Sequence, residues 1–216
     1  MTALPTVTNA GDAIGFRQFL RRASPDEAAR TLLGGVLRHG AVSVRIVEVE
    51  AYGGPVESAH PDEAAHTWPG LTSRNEVMFG DAGHLYVYLS HGIHQCINIT
   101  CRPAGEGGGV LLRAGRVVSG HDVVLLRRPG VALERAARGP GNLGKSLGID
   151  LTFRGTDVLA SSSSVSFCPE PVSDEQIRTG PRVGVSREAE RPWRFWLAGA
   201  REVSAYRRSP RAPRPE

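Results

Sequence analysis

The chain has 216 residues, 40% of them hydrophobic, and a formal net charge of +4, which is the profile of one globular domain with its own core. No stretch approaches the roughly 18 consecutive apolar residues of a membrane span, and the first residues lack the basic and apolar regions of a secretory signal. Three cysteines without CxxC spacing argue against a disulfide framework and favour a cytoplasmic protein.

Arginine dominates the basic side chains, because Lys145 is the only lysine among 26 basic residues. Arginine binds phosphate through two donors and stacks on bases, so this bias is compatible with nucleic-acid binding. The codon usage of a GC-rich genome would give the same bias, and both explanations stay open. A mechanism that needs a lysine Schiff base has only one internal candidate.

The first predicted element is a helix. Ser24-Pro25-Asp26-Glu27 combines a capping box with a proline at the first helical position. The helix is predicted to continue to Leu33, where Gly34-Gly35 end it.

The next element is a strand over residues 42–52, and it contains two acids. Because side chains two apart share a face, Glu48, Glu50 and Tyr52 are predicted to continue a line of buried apolar residues from Val42. Acids on an apolar face break the pattern where the strand ends, and such breaks often fall at functional sites. An ordinary solvated strand end explains the two acids equally well.

Further strands and helices follow a long polar loop. Strands are predicted at Leu85–Leu89 and Gln95–Thr100, with a protruding β-hairpin around residue 91 between them. Another strand is predicted at Val110–Arg113 after a glycine-rich turn. Residues 121–148 are predicted to be mostly helical, and Arg194–Ala198 to form a late strand.

The segment Gly139-Pro140-Gly141-Asn142-Leu143-Gly144-Lys145-Ser146 matches the P-loop pattern of nucleotide-binding enzymes in full. A working P-loop follows a buried strand, whereas residues 133–138 have the pattern of an amphipathic helix. Pro140 also removes one amide from any phosphate cradle. A P-loop-type nucleotide-binding enzyme stays as an alternative that this context disfavours.

Two groups of side chains could in principle bind a metal ion. The first group lacks the usual spacing of zinc ligands, and cysteines on a strand are commonly small apolar residues. The second group is the better candidate, as a hydrolytic metal site, but we expect neither a metal nor a cofactor. The two groups are His91, His94, Cys96 and Cys101, and His60, Asp62 and His66 near the two glutamates.

Read in order, many segments resemble the alkyladenine (3-methyladenine) DNA glycosylase family of base-excision enzymes. The resemblance extends over nearly the whole chain and is most specific between Glu48 and Arg113. Its segments are 47–53, 63–66, 73–75 with 78–79, 83–92, 96–99, 110–114, 139–140 with 147–149, 182–185 and 192–196.

The resemblance implies a compact mixed α/β (α+β) domain over residues 1–206, with a mainly antiparallel sheet flanked by helices. Residues 207–216 are predicted to form a basic, disordered tail. The implied enzyme flips alkylated or deaminated purines out of double-stranded DNA and hydrolyses the N-glycosidic bond, leaving an abasic site. We expect it to lack a lyase step and to act as a cytoplasmic monomer on nucleoid DNA. A non-catalytic binder of damaged DNA remains an alternative.

The resemblance also assigns roles to individual residues. Glu50 corresponds to the general base that activates water, and Arg113 helps to hold that water together with the backbone carbonyl of Val183. The pocket asparagine that obstructs the 2-amino group of guanine corresponds to Asn98. The remaining pocket walls correspond to Tyr52, His66 and Tyr88, where the context Glu-Ala-Ala-His favours His66 over His60.

The predicted DNA contacts include one departure from the family pattern. A tyrosine at the hairpin tip fills the gap left by the flipped base in well-known members, and His91 takes its place here. An imidazole can stack, but it is smaller than a phenol ring and can be charged. The predicted DNA-binding residues are Arg74, Asn75, Met78, His91 and Ile93.

Overall fold

The computed structural model describes residues 10–214. Two helices come first, α1 (Ala10–Arg22) and α2 (Pro25–Leu32). The predicted capping box of α2 is confirmed, since the Ser24 N–H donates to Glu27 Oε2 at 2.8 Å and Ser24 Oγ accepts from the Glu27 N–H. Helix α1 was not predicted from the sequence.

Within the described residues, eight strands form one antiparallel sheet, which confirms the predicted mixed α/β domain with an antiparallel core. The order along the sheet is β3-β4-β5-β2-β1-β6, and β8 pairs with β2 and with β7. The strands are β1 (Val36–His39), β2 (Val42–Tyr52), β3 (Leu85–Ser90), β4 (His94–Thr100), β5 (Gly109–Ser119), β6 (Val165–Cys168), β7 (Ile177–Gly180) and β8 (Arg194–Leu197).

Strand β2 is central because both of its edges are paired. Strand β5 follows one edge from Ser43 to Tyr52. The other edge pairs first with β1 and then, at residues 48–50, with β8. The end of β2 that carries the two acids therefore lies between two strands, where water does not reach the backbone.

The prediction of one continuous apolar face along β2 was wrong. The register with β5 shifts on both sides of Glu48, which marks a β-bulge. The residues of β2 that lie in the core are Val42, Val44 and Ile46 before the bulge and Val49 and Ala51 after it, so the alternation changes from even to odd numbers. A bulge re-aims the side chains that follow it, so Glu48 and Glu50 lie on the face opposite to the apolar core residues.

Strands β3 and β4 pair antiparallel and are joined by residues 91–93. That this hairpin protrudes from the domain stays a prediction.

The predicted helical region 121–148 contains three helices, α3 (His121–Arg127), α4 (Leu133–Ala136) and α5 (Pro140–Leu147). Helix α5 packs on β4. Single 3-10 turns lie at Glu76–Phe79, Leu151–Phe153 and Asp174–Gln176. No helix within residues 10–214 has the length and hydropathy to cross a bilayer.

The described part of the predicted tail contacts the loop before β8. The Gly184 N–H donates to the Arg207 carbonyl at 2.9 Å, and the Arg208 guanidinium pairs with Glu190. The domain boundary at residue 206 stays a prediction, and residues 215–216 lie outside the described range.

Candidate active site

A cavity of about 410 Å³ opens where β2, β3, β4 and β5 face the loops around residues 63–66 and 183–187. This volume lies within the range of roughly 300–1,000 Å³ that small-molecule sites occupy. Nearly all the predicted pocket residues line it. They are Tyr52, His66, Tyr88, Asn98, Arg113 and Val183, together with His91 and Met78.

Glu50 is fully buried and does not itself line the cavity, but its hydrogen-bond donors do. Its Oε2 accepts hydrogen bonds from the Tyr52 hydroxyl at 2.9 Å and from Arg113 Nη1 at 3.2 Å. Its Oε1 accepts from the Val183 N–H at 2.6 Å. All three donors belong to residues that line the cavity, so the carboxylate is held by the cavity floor.

Val183 contacts Glu50 through its backbone amide, a contact that the resemblance did not assign. The amide fixes the orientation of the Glu50 carboxylate. The role of the carbonyl in holding water stays a prediction.

Arg113 connects the two glutamates. Its Nε donates to Glu48 Oε1 at 3.1 Å, and its Nη1 donates to Glu50. Burial alone would lower the pKa of the Arg113 guanidinium, but the charges of Glu50 and Glu48 raise it above its usual value. The side chain therefore stays a cation next to Glu50.

Glu48 is also fully buried, but its oxygens are occupied inside the protein. Besides Arg113, they accept from Arg194 Nε at 2.7 Å and from the Ser204 N–H and hydroxyl at 2.7 and 2.8 Å. Neither glutamate lines the cavity itself, but of the partners of Glu48 only Arg113 does, whereas all three donors to Glu50 do. This carboxylate therefore anchors β8 and the loop at residue 204 and holds Arg113 in position.

A buried ion pair supports Tyr52 from behind, and sequence reasoning did not find it. Arg182 donates to both carboxylate oxygens of Asp62, at 2.6 and 2.8 Å, and its guanidinium carbon lies 4.7 Å from the centre of the Tyr52 ring. Burial opposes ionisation of Asp62, but the hydrogen bond and charge of Arg182 and the Gly53 and Ala64 amides lower its pKa overall.

Three rings form one wall of the cavity. Tyr86 and Tyr88 stack on one face of β3 with centroids 5.6 Å apart, and His66 lies edge-on to both. His66 Nδ1 is 3.0 Å from the Tyr86 hydroxyl. Burial, together with the charge of Arg74, lowers the pKa of His66, so the ring is neutral at pH 7. Tyr86 was not predicted as a wall, although its alternation with Tyr88 is visible in the sequence.

Asn98 is buried on β4, opposite Tyr86, and faces the cavity. Its side-chain amide donates to the Tyr86 carbonyl at 3.1 Å, which fixes the amide orientation. His60 does not line the cavity. Burial, together with the charge of Arg102, lowers the pKa of its imidazole. The geometry therefore brings His66, and not His60, to the predicted pocket.

The five predicted DNA-binding residues separate into exposed and buried side chains. Arg74, His91 and Ile93 are exposed, and Ile93 is 74% accessible at the hairpin turn. Asn75 is 1% accessible and donates to the His66 and Gly70 carbonyls at 2.8 and 2.9 Å. Met78 is equally buried and lines the cavity. Asn75 therefore shapes the loop that presents His66, and contact of Asn75 and Met78 with DNA stays a prediction.

The other motifs have structural surroundings of their own. The P-loop-like segment is helix α5 with its preceding Gly139, and it follows helix α4 rather than a strand. Asp62 is bound to Arg182 instead of facing His66. Within residues 10–214, no three His, Cys, Asp or Glu side chains converge as metal ligands.

Comparison with known proteins agrees with this geometry. Residues 18–201 match the methylpurine-DNA glycosylase family. Proteins from Nocardia farcinica and Mycobacterium sp. (strain KMS) are each 56% identical, over 88% and 91% of this chain and 90% and 96% of their own lengths. A Rhodococcus jostii protein is 53% identical over 89% of this chain and 86% of its own. All three are named "Putative 3-methyladenine DNA glycosylase". The chain belongs to the methylpurine-DNA glycosylase family, whose members are hydrolases of the N-glycosyl bond of damaged DNA.

Proposed function

We propose that this enzyme excises 3-methyladenine and related alkylated or deaminated purines from double-stranded DNA and leaves an abasic site. The observation that carries the proposal is the Glu50 carboxylate, which Tyr52, Arg113 and the Val183 amide hold at the floor of an aromatic cavity. A base inside a duplex is out of reach, so the nucleotide must be flipped into this cavity at a cost of a few kcal/mol.

The walls provide binding energy for a flipped base. Stacking of a base on an aromatic side chain contributes roughly 1–3 kcal/mol, and Tyr52 and Tyr88 both line the cavity. A methylated purine carries positive charge, which strengthens its contact with the electron-rich face of a tyrosine. In this proposal Asn98, whose side-chain amide is fixed by its hydrogen bond to the Tyr86 carbonyl, obstructs the 2-amino group of guanine.

The chemistry needs one base and one water. A carboxylate offers about four acceptor positions, and three hydrogen bonds to Glu50 leave one for a water molecule. Glu50 accepts a proton from this water while the water oxygen bonds to C1′. The bond from C1′ to the purine nitrogen breaks, and the electron pair leaves with the base.

The proposal includes three further points. The enzyme lacks a lyase step, since the only lysine, Lys145, is exposed on α5 and does not line the cavity. His91 at the turn takes the place of the intercalating tyrosine, with Arg74 and Ile93 as neighbouring DNA contacts. The enzyme acts as a monomer in the cytoplasm, at the nucleoid.

Replacement of Glu50 tests the proposal. We expect Glu50→Gln to abolish release of 3-methyladenine from methylated DNA and to retain binding of a lesion duplex, because the amide keeps the shape but not the base. Base release and duplex affinity are measured on the same preparation. Undiminished release would reject Glu50 as the base, and a wild-type protein that binds lesions without releasing any base would be a non-catalytic binder.

A further inference from the structure

A second cleft adjoins the active-site cavity at the hairpin turn. It has a volume of about 560 Å³ and lies between the start of β4 and helix α5. Ile93 lines this cleft while His91 lines the cavity, and Gly141 lines the cleft while Pro140 lines the cavity. A DNA strand that places a nucleotide in the cavity and continues over the turn therefore meets this cleft next.

The cleft is positively charged. Arg127, Arg128 and Lys145 line it, and Asp150 is the one acidic side chain among its described lining residues. Asp150 is engaged as the cap of the 3-10 turn that follows, where it accepts from the Thr152 N–H. Three cations against one occupied carboxylate favour an anionic ligand.

Two polar atoms in this cleft are buried without a partner in the described part of the chain. They are Arg128 Nε and Gln95 Oε1. Buried polar groups are almost always paired, so these two side chains have hydrogen-bonding capacity that the described part of the protein does not use. The Gln95 amide presents either its oxygen or its NH2 group by rotation about its last bond, so both side chains can act as donors.

Arg127, in contrast, has a structural role. Its Nη1 donates to the Ser146 carbonyl at 2.8 Å. Its guanidinium also lies against Gly148, where an added Cβ would be 2.7 Å from the guanidinium carbon. The cations available to a ligand are therefore Arg128 and Lys145.

We propose that this cleft binds a backbone phosphate of the DNA strand next to the flipped nucleotide, with Arg128 and Lys145 as the charged donors. The inference rests on the proposed function, because it takes the DNA held by the cavity as its ligand. Lys145 of the P-loop-like segment then binds a phosphate of the DNA backbone and not the phosphate of a free nucleotide.

The salt dependence of binding tests the cleft. Each phosphate contact contributes about 0.9 to the slope of log affinity against log salt. We expect Arg128→Gln and Lys145→Gln each to weaken binding of a lesion duplex. Each variant that loses a phosphate contact should also reduce the slope of log affinity against log salt by about one. A fourfold increase in salt then weakens the variant about 3- to 4-fold less than the wild type.

Arg22→Gln is the matched control, since Arg22 is an exposed arginine in the last turn of α1 that does not line the cleft. We expect its affinity and slope to equal those of the wild type. Thermal unfolding of all three variants shows whether any effect comes from loss of structure, and Lys145 is the safer substitution because its side chain is exposed.

A neutral phosphate identifies the contact. Duplexes with a single methylphosphonate, placed in turn at each position near the lesion, should bind the wild type less tightly at one position and leave Arg128→Gln or Lys145→Gln unaffected there. The cleft proposal alone would be overturned if the enzyme releases bases but both variants keep the wild-type salt slope and no methylphosphonate position behaves in this way. The expected slopes without base release would instead overturn the proposed function.

Discussion

At the scale of single residues, Tyr52 combines two contributions that one substitution separates. Its ring lines the cavity, and its hydroxyl donates to Glu50. Burial and the neighbouring charge of Glu50 raise the pKa of Tyr52 well above its usual value, so the hydroxyl remains a donor at physiological pH. The ring contributes to binding of the base, and the hydroxyl orients the carboxylate.

We expect Tyr52→Phe to lower the rate of base excision by about 10- to 100-fold and to leave lesion affinity unchanged. A hydrogen bond to a charged group contributes about 1.5–3 kcal/mol, and each 1.36 kcal/mol is a factor of ten in rate. Single-turnover kinetics and duplex affinity measure the two effects. Tyr52→Leu is the contrasting variant and should weaken lesion binding as well. A wild-type rate for Tyr52→Phe would show that the hydroxyl does not orient the base.

The ion pair of Asp62 and Arg182 gives a prediction about stability. Asp62→Asn leaves a buried guanidinium without its counter-charge, which we expect to cost about 3–5 kcal/mol of unfolding free energy at pH 7. The folded state lowers the pKa of Asp62, so its contribution is complete above the unfolded value of about 3.9 and is lost as the pH falls through the folded value. The difference between wild type and variant should therefore narrow below about pH 4.

Urea unfolding at pH 7, 5, 4 and 3 checks this prediction. Glu170→Gln is the control, because Glu170 pairs with Arg45 at 3.5 Å on the surface, where both side chains are more than a third exposed. Exposed pairs contribute about 0–1 kcal/mol. If Asp62→Asn lowered the free energy of unfolding as little as the control does, the buried pair would not be the support of Tyr52 that its contacts indicate.

At the scale of elements, the glycines of the P-loop-like segment allow two elements to pack closely. An added Cβ at Gly144 would lie 2.4 Å from the Gln95 carbonyl of β4, and one at Gly141 would lie 2.7 Å from the His94 ring. A backbone atom cannot move away as a side-chain end can. The motif therefore reflects contact between α5 and β4.

We expect Gly144→Ala to lower the free energy of unfolding by about 1–3 kcal/mol, because the added methyl group forces α5 away from β4. Gly15 is the matched control: it also lies inside a helix, but no atom is within 4 Å of an added Cβ. Gly15→Ala should stabilise the protein by about 0.5–1 kcal/mol through helix propensity. Thermal or urea unfolding of both variants is the measurement, and equal effects of the two substitutions would contradict the close packing of α5 on β4.

The same elements show what a sequence can and cannot predict. The capping box of α2 and the strands β3 and β4 depend on residues close in the chain, and all three features were predicted correctly. The bulge in β2 depends on pairing with β5, and the Arg182–Asp62 pair joins residues 120 positions apart. No local pattern encodes such contacts. Glu50 and its neighbours were assigned through resemblance, since alternation alone placed both acids on the wrong face.

At the scale of the whole molecule, the arrangement of charges and thiols bears on metal dependence. Zinc binds thiolates, yet burial raises the pKa of Cys96 and raises that of Cys101 to about 12, so both thiols stay protonated. Asp62 gives both carboxylate oxygens to Arg182. Three of the groups that the sequence offers as metal ligands, Cys96, Cys101 and Asp62, are thus committed to packing or to an ion pair.

We accordingly expect base excision to be unaffected by EDTA. A cationic methylated purine is already a good leaving group, so one carboxylate and one water suffice without a Lewis acid. The measurement is the single-turnover rate on methylated duplex DNA before and after incubation with excess chelator and removal of released metal. A loss of activity that added zinc restores would contradict this expectation. Such a metal would have to lie beside Glu50 together with Arg113, whose positive charge opposes a second cation there.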